Sequence, residues 1–161
     1  MKTLFLVRHA KSSRDDPALA DRDRPLNERG RHDAAAMARR LAGRGVEPDR
    51  LLSSPARRAL STAQRFADGL GIARESIVVD DRLYAGTAGI LLSVIQGTDD
   101  SVATLMVFGH NPEMSDLAQH LSGRWTDLPT CAVVELRFDA ARWSEVDGVG
   151  LTAVAIETPK D

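Results

Sequence analysis

Leu4-Phe5-Leu6-Val7-Arg8-His9 is an unbroken apolar run that ends on a cation and an imidazole. A short, continuously apolar segment of this kind is the signature of a strand buried on both faces of a parallel sheet. Open α/β sheets bind ligands at the carboxyl ends of their strands. The run therefore places Arg8 and His9 at a ligand-binding edge. Two further segments have the same form: Ser53-Ser54-Pro55-Ala56-Arg57-Arg58-Ala59 and Val107-Phe108-Gly109-His110-Asn111-Pro112. Each lies where a predicted strand hands over to a loop or helix. If the tips share one crevice, Arg8, His9, Arg58 and His110 make a phosphate pocket.

The rest of the chain alternates in the same manner. Asn27 is placed to cap a helix running to about residue 44, with Ala34, Met37, Ala38 and Leu41 at i, i+3, i+4, i+7. Residues 50–53 form a short strand, and Ser54 or Pro55 opens a second helix with Ala59, Leu60, Ala63, Phe66, Ala67 and Leu70 inward. Residues 77–79 make a brief strand. Thr87 caps a helix carrying Ile90, Leu91, Val94 and Ile95, and residues 102–108 form a central strand. Asn111 caps and Pro112 starts a helix that buries Met114, Leu117, Ala118 and Leu121. At the end, Val134, Leu136 and Phe138 alternate with Glu135 and Arg137, and residues 151–156 follow the turn at Asp147-Gly148. These two strands are expected to pair antiparallel. The predicted fold is a three-layer α/β sandwich, a mostly parallel sheet between helices with antiparallel C-terminal strands. At 161 residues it is expected to be a single domain, 1–161.

A net charge of −2 provides no global basic field for nucleic acid or an anionic membrane. A cationic site in a slightly acidic protein suits a small anionic group. No apolar stretch approaches the ~20 residues of a membrane span, and the first four-residue run is too short for a signal peptide. A cytoplasmic protein is expected. The single Cys131 sits among Ala132, Val133 and Val134 and reads as a reduced core thiol.

The chemistry of the constellation is phosphoryl transfer. A neutral imidazole can attack phosphorus if its other ring nitrogen is held as a donor. Guanidinium forks grip phosphate oxygens bidentately. A protonated His110 would add a third positive charge, and the helix after Asn111 its N-terminal dipole. The scheme needs no metal or cofactor, and no H-E-x-x-H spacing is present.

Four segments carry a resemblance. Val7-Arg8-His9-Ala10-Lys11-Ser12, Arg24-Pro25-Leu26-Asn27-Glu28-Arg29-Gly30, Ser53 to Ala63, and Phe108-Gly109-His110-Asn111-Pro112 resemble, in order, the histidine phosphatase superfamily, which includes the phosphoglycerate mutases. Within it the chain is most similar to the short SixA-type phosphohistidine phosphatases. The resemblance implies a phosphoglycerate mutase-like fold, a phosphorylated His9 intermediate, and Arg8, Arg58 and His110 as phosphate ligands. The family places its arginine three residues after the Pro of Ser-Ser-Pro, which selects Arg58 over Arg57. Lys11 and Ser12 stand at the pocket mouth as further substrate-binding residues.

Three departures shape the expected substrate. The family's Arg-His-Gly reads Arg8-His9-Ala10. Asp15 replaces a phosphate-binding Asn and would repel phosphate. The loop Asp80-Asp81-Arg82-Leu83-Tyr84-Ala85-Gly86-Thr87 has no carboxylate after Tyr84 to serve as a general acid, and Asp80 and Asp81 read as strand-end residues. An alkoxide leaves poorly without a proton donor, whereas a protonated imidazole leaves readily. The expected partner is a phosphohistidine-bearing protein. Small phosphate esters, or a binding module without turnover, are the alternatives. Residues 11–26 read as a long charged loop that could close over the site.

Overall fold

The computed structural model describes residues 1–160. Six strands form one sheet: β1 (Lys2–Arg8), β2 (Arg50–Ser53), β3 (Val78–Val79), β4 (Thr104–Gly109), β5 (Val133–Phe138) and β6 (Leu151–Glu157), in the order β3-β2-β4-β1-β5-β6. The pairs β1–β4, β2–β4 and β2–β3 are parallel. The pairs β1–β5 and β5–β6 are antiparallel. Four helices cover the sheet: α1 (Glu28–Gly43), α2 (Arg57–Leu70), α3 (Ala88–Gln96) and α4 (Glu113–Ser122).

The pleat of β1 explains its apolar run. Phe5 and Val7 join Met37, Leu41, Phe66 and Ala67 in a core beneath α1 and α2. Leu4 and Leu6 point the other way, into a core with Leu91, Ile95, Leu117 and Leu121 of α3 and α4. Alternate side chains are thus buried on opposite faces, as a central strand between two helical layers requires. The result is the expected three-layer sandwich with antiparallel strands at one side.

Local chemistry sets the helix starts. Asn27 and Thr87 cap as predicted, accepting from the N–H groups of Gly30 and Ile90. The α2 helix begins later than expected, at Arg57, because Ser54 Oγ accepts from the Ala56 N–H and holds residues 54–56 in a turn. The α4 helix likewise begins at Glu113. Asn111 Oδ1 instead accepts from both the N–H and the hydroxyl of Ser115, one turn further in. Gly30 is needed for contact: a Cβ there would lie 2.0 Å from the Lys11 carbonyl oxygen. The start of α1 therefore rests directly on the loop that leaves His9.

Several surface assignments change. Glu135 is buried, because Arg44 (3.2 Å) and Arg137 (2.9 Å) neutralise it. Arg44, the residue that caps the end of α1, also meets Glu157 at 2.6 Å and so ties that helix end to β6. Ile90 and Trp125 are exposed, whereas Trp143 is fully buried and donates its indole N–H to the Val102 carbonyl. Cys131 is a free, buried thiol, its ionisation pushed up to about 12 by burial.

Candidate active site

The register of the parallel strands assembles the site. Arg8 lies beside Gly109 across β1–β4, and Ser53 beside Phe108 across β2–β4. The residues that follow each tip, His9, Ser54 and His110, are consequently neighbours. His9 donates its N–H to the Gly109 carbonyl (2.9 Å), and Ser54 to that of Phe108 (3.0 Å). Arg58 sits in the first turn of α2, just past the β2 tip, and turns back over the edge. Arg57 is exposed, which separates the two adjacent arginines.

A cavity of about 280 Å³ opens at this edge, lined by Arg8, His9, Lys11, Ser12, Arg58 and His110. All six residues expected at the site therefore converge. Arg14, Asp21, Arg24, Asn111 and Thr130 complete the lining. Asp15 is exposed and outside it. Residues 11–26 form one wall, closed at the base by bonds from Ser13 N–H to the Pro25 carbonyl and from Asn27 N–H to that of Lys11.

The two imidazoles lie 5.2 Å apart between ring centroids. His9 Nδ1 is 2.7 Å from the Ala10 carbonyl oxygen. A carbonyl can only accept, so Nδ1 carries the proton and Nε2 holds a free lone pair. Burial, helped by the nearby His110, Arg58 and Arg8, lowers its ionisation to about 3. The ring is neutral at pH 7. Thr62 braces the loop: its hydroxyl accepts the Ala10 N–H (3.0 Å) and donates to the Arg58 carbonyl (2.7 Å).

His110 differs. Its Nε2 lies 2.8 Å from Ser54 Oγ, and its buried Nδ1 has no partner. Burial first, then Arg58, lowers its ionisation to about 4. His110 is therefore neutral at pH 7, so the third positive charge that a protonated ring would add is not a standing one. A bound phosphate dianion would reverse this by supplying the missing counter-charge. The buried Nε atoms of Arg8 and Arg58 are also without partners. Two guanidinium groups and two imidazoles lining one cavity suit it to an anion. Arg8 is aimed by a bond from Nη1 to the Leu128 carbonyl (2.8 Å).

Asp21 and Arg24 were not singled out from sequence. Asp21 opens a single 3₁₀ turn, Asp21–Asp23, at the tip of the long loop. Its carboxylate accepts from Arg58 Nη2 (3.0 Å), Tyr84 Oη (2.7 Å) and Arg24 Nε (3.1 Å), and its carbonyl from Arg58 Nη1 (2.7 Å). Tyr84, first among these donors, holds the Asp21 carboxyl far below the usual range. Arg24 also bonds Ser12 Oγ at 2.7 Å. In the run Asp21-Arg22-Asp23-Arg24 no periodicity distinguishes these two from solvated neighbours. The candidate acids lie elsewhere: Asp80 is gripped at both oxygens by Arg82 (2.7 and 3.0 Å), and Asp81 faces solvent near Arg22.

Comparison with known proteins places this geometry. The family described as histidine phosphatase superfamily (branch 1) matches residues 4–89, just over half of the chain and ending before His110. An uncharacterised chloroplastic protein of Arabidopsis thaliana is 34% identical over 152 residues, covering 89% of this chain and 70% of its own. Phosphohistidine phosphatase SixA of Escherichia coli is 31% identical over 119 residues, 73% of each chain. The structure of protein histidine phosphatase SixA complexed with tungstate superposes with a TM-score of 0.82 at 28% identity, covering 98% of this chain and 97% of that one. Among the described residues no helix is long and apolar enough to cross a membrane. With a chloroplastic relative in the family, membership does not fix a compartment. The chain belongs to the histidine phosphatase superfamily, a phosphatase similar in sequence and fold to SixA.

Proposed function

We propose that this phosphatase hydrolyses phosphohistidine on proteins without a metal, through a phosphorylated His9. The observation that carries this reading is the Nδ1 bond to the Ala10 carbonyl, which leaves Nε2 of a neutral ring as the nucleophile. Arg8, Arg58 and His110 hold the phosphoryl oxygens, with Lys11 and Ser12 at the mouth. His9 Nε2 bonds to phosphorus, the bond to the leaving nitrogen breaks, and the electron pair leaves with the imidazole. Water then bonds to phosphorus, the P–Nε2 bond breaks with its electron pair returning to the neutral His9 ring, and inorganic phosphate leaves with the oxygen and protons of the water. The substrate class follows from the leaving group. Among the candidate acids, Asp80 and Asp81 are engaged or remote and Asp21, the carboxylate lining the cavity, is held ionised, so none of the three is placed to protonate an alkoxide.

The test is incubation with a phosphohistidine-bearing protein in EDTA, an early quench, and assay for acid-labile phosphate on the enzyme. Wild type should carry label and consume substrate, and His9→Ala should do neither. Equal substrate loss in His9→Ala would overturn the nucleophile. Loss of phosphate esters but not phosphohistidine would transfer the activity to small esters. Binding without loss of either would leave a phosphate-binding module.

A further inference from the structure

Among the described residues Asp21 is the one carboxylate that lines the cavity, and a negative charge in a phosphate pocket requires a reason. Its side chain is 53% exposed, against 8% for that of Arg58. His9 is 8% exposed overall, so His9 forms the floor and Asp21 the rim. In-line displacement by His9 puts the leaving atom on the far side of phosphorus, toward that rim. Lys11 and Arg14, both exposed, also line the cavity, but among its described lining residues only Asp21 can accept a hydrogen bond with a full negative charge. Three donors use part of the accepting capacity of its two oxygens, roughly four lone-pair sites in all.

We propose that Asp21 sets substrate choice by accepting the ring N–H of a protonated phosphoimidazole leaving group. The inference rests on the phosphohistidine reading above and deepens it. In the protonated substrate one ring nitrogen bears phosphorus and the other a hydrogen. When His9 Nε2 bonds to phosphorus, the P–N bond breaks and its electron pair returns to the leaving nitrogen. The ring departs as neutral imidazole, keeping the N–H that Asp21 accepts, and no proton is transferred. An alkoxide would have to gain a proton, which an ionised carboxylate cannot give. The groups that face Asp21 keep it ionised: Arg58 from α2, Arg24 just after its own turn, and Tyr84 from the loop after β3, with His110 behind at the β4 tip.

The experiment measures kcat/KM for a phosphohistidine peptide and for p-nitrophenyl phosphate, whose leaving group needs no proton, across pH. Asp21→Asn loosens Arg58 and should slow both. The ratio of the two should nevertheless fall roughly 10- to 100-fold, as for loss of a hydrogen bond to a charged group. The alkaline limb should move to lower pH for the phosphohistidine peptide only, because nothing then favours the protonated ring. Asp21→Glu should recover most of the ratio. Tyr84→Phe removes one donor to Asp21 without touching Arg58, strengthens the carboxylate as an acceptor, and should move the phosphohistidine limb to higher pH. An equal fall on both substrates with no movement of the limb would reduce Asp21 to a prop for Arg58 and overturn the inference. A Tyr84→Phe limb that moves down would do so too. If wild type fails on phosphohistidine altogether, the function proposed above fails first, and this inference with it.

Discussion

The tips of β1 and β4 carry the same side chain and treat it differently. At the β1 tip, His9 spends one nitrogen on a backbone carbonyl, and the other is left as a lone pair. At the β4 tip, His110 meets a hydroxyl that can donate or accept, and its second nitrogen is buried without a partner. A carbonyl enforces one tautomer, whereas a hydroxyl allows either. On the proposed function, this locks His9 as the nucleophile. His110 is left able to take up a proton when an anion arrives. Burial lowers both rings, so it is the second partner that separates the two roles.

The largest test of that separation is His9→Ala, expected to lower turnover about 10⁴-fold or more and abolish the phosphoenzyme. His110→Ala should cost about 10²- to 10³-fold in kcat, comparable to losing one transition-state donor. It should still form some acid-labile phosphoenzyme in an early quench. If the two variants reverse this order, the roles have been exchanged.

Acid stability probes the same pair. Both rings bind protons more weakly in the folded chain, at about 3 and about 4, than in the unfolded one, near 6.5. Below pH 6.5 the unfolded state takes up protons that the folded state refuses, so stability falls as pH drops from 6.5 toward 4. His110→Gln should lose less melting temperature than wild type between pH 7 and 5. Inorganic phosphate should protect wild type in that window, and proton NMR should show the His110 ring, not His9, gaining a proton as phosphate binds. A His9 ring that protonates instead would break the comparison. The smallest effect belongs to Ser54→Ala, which removes a hydrogen bond of about 1 kcal/mol. It should lower kcat about three- to tenfold while leaving phosphoenzyme on His9.

Much of the fold was legible because its signals are local. The continuous run of β1, the i, i+3, i+4 stripe of α1 and the alternation in β5 each follow from one element's own periodicity. Misreadings fell where a neighbour decided. Glu135 looked solvent-facing until Arg44, 91 positions away, was seen to reach it. Ser54 reads as a helix start and Asn111 as a cap, but their side chains bond within a turn and to Ser115. The site divides similarly. Arg8, His9, Arg58 and His110 stand out because each follows a strand. Asp21 lies in a loop with no period to mark it.

The sequence by itself determined which residues end the strands, because strand and helix periodicity reports position along the chain, and its motifs at those ends carried the likeness to the family and the proposed phosphate-binding set. Only the tertiary structure decided which nitrogen of His9 is free, that burial keeps His110 neutral at pH 7, and that a carboxylate 37 positions from Arg58 shares its pocket. Those properties arise from burial and from partners brought together across the sheet edge, and distance along the chain does not encode either.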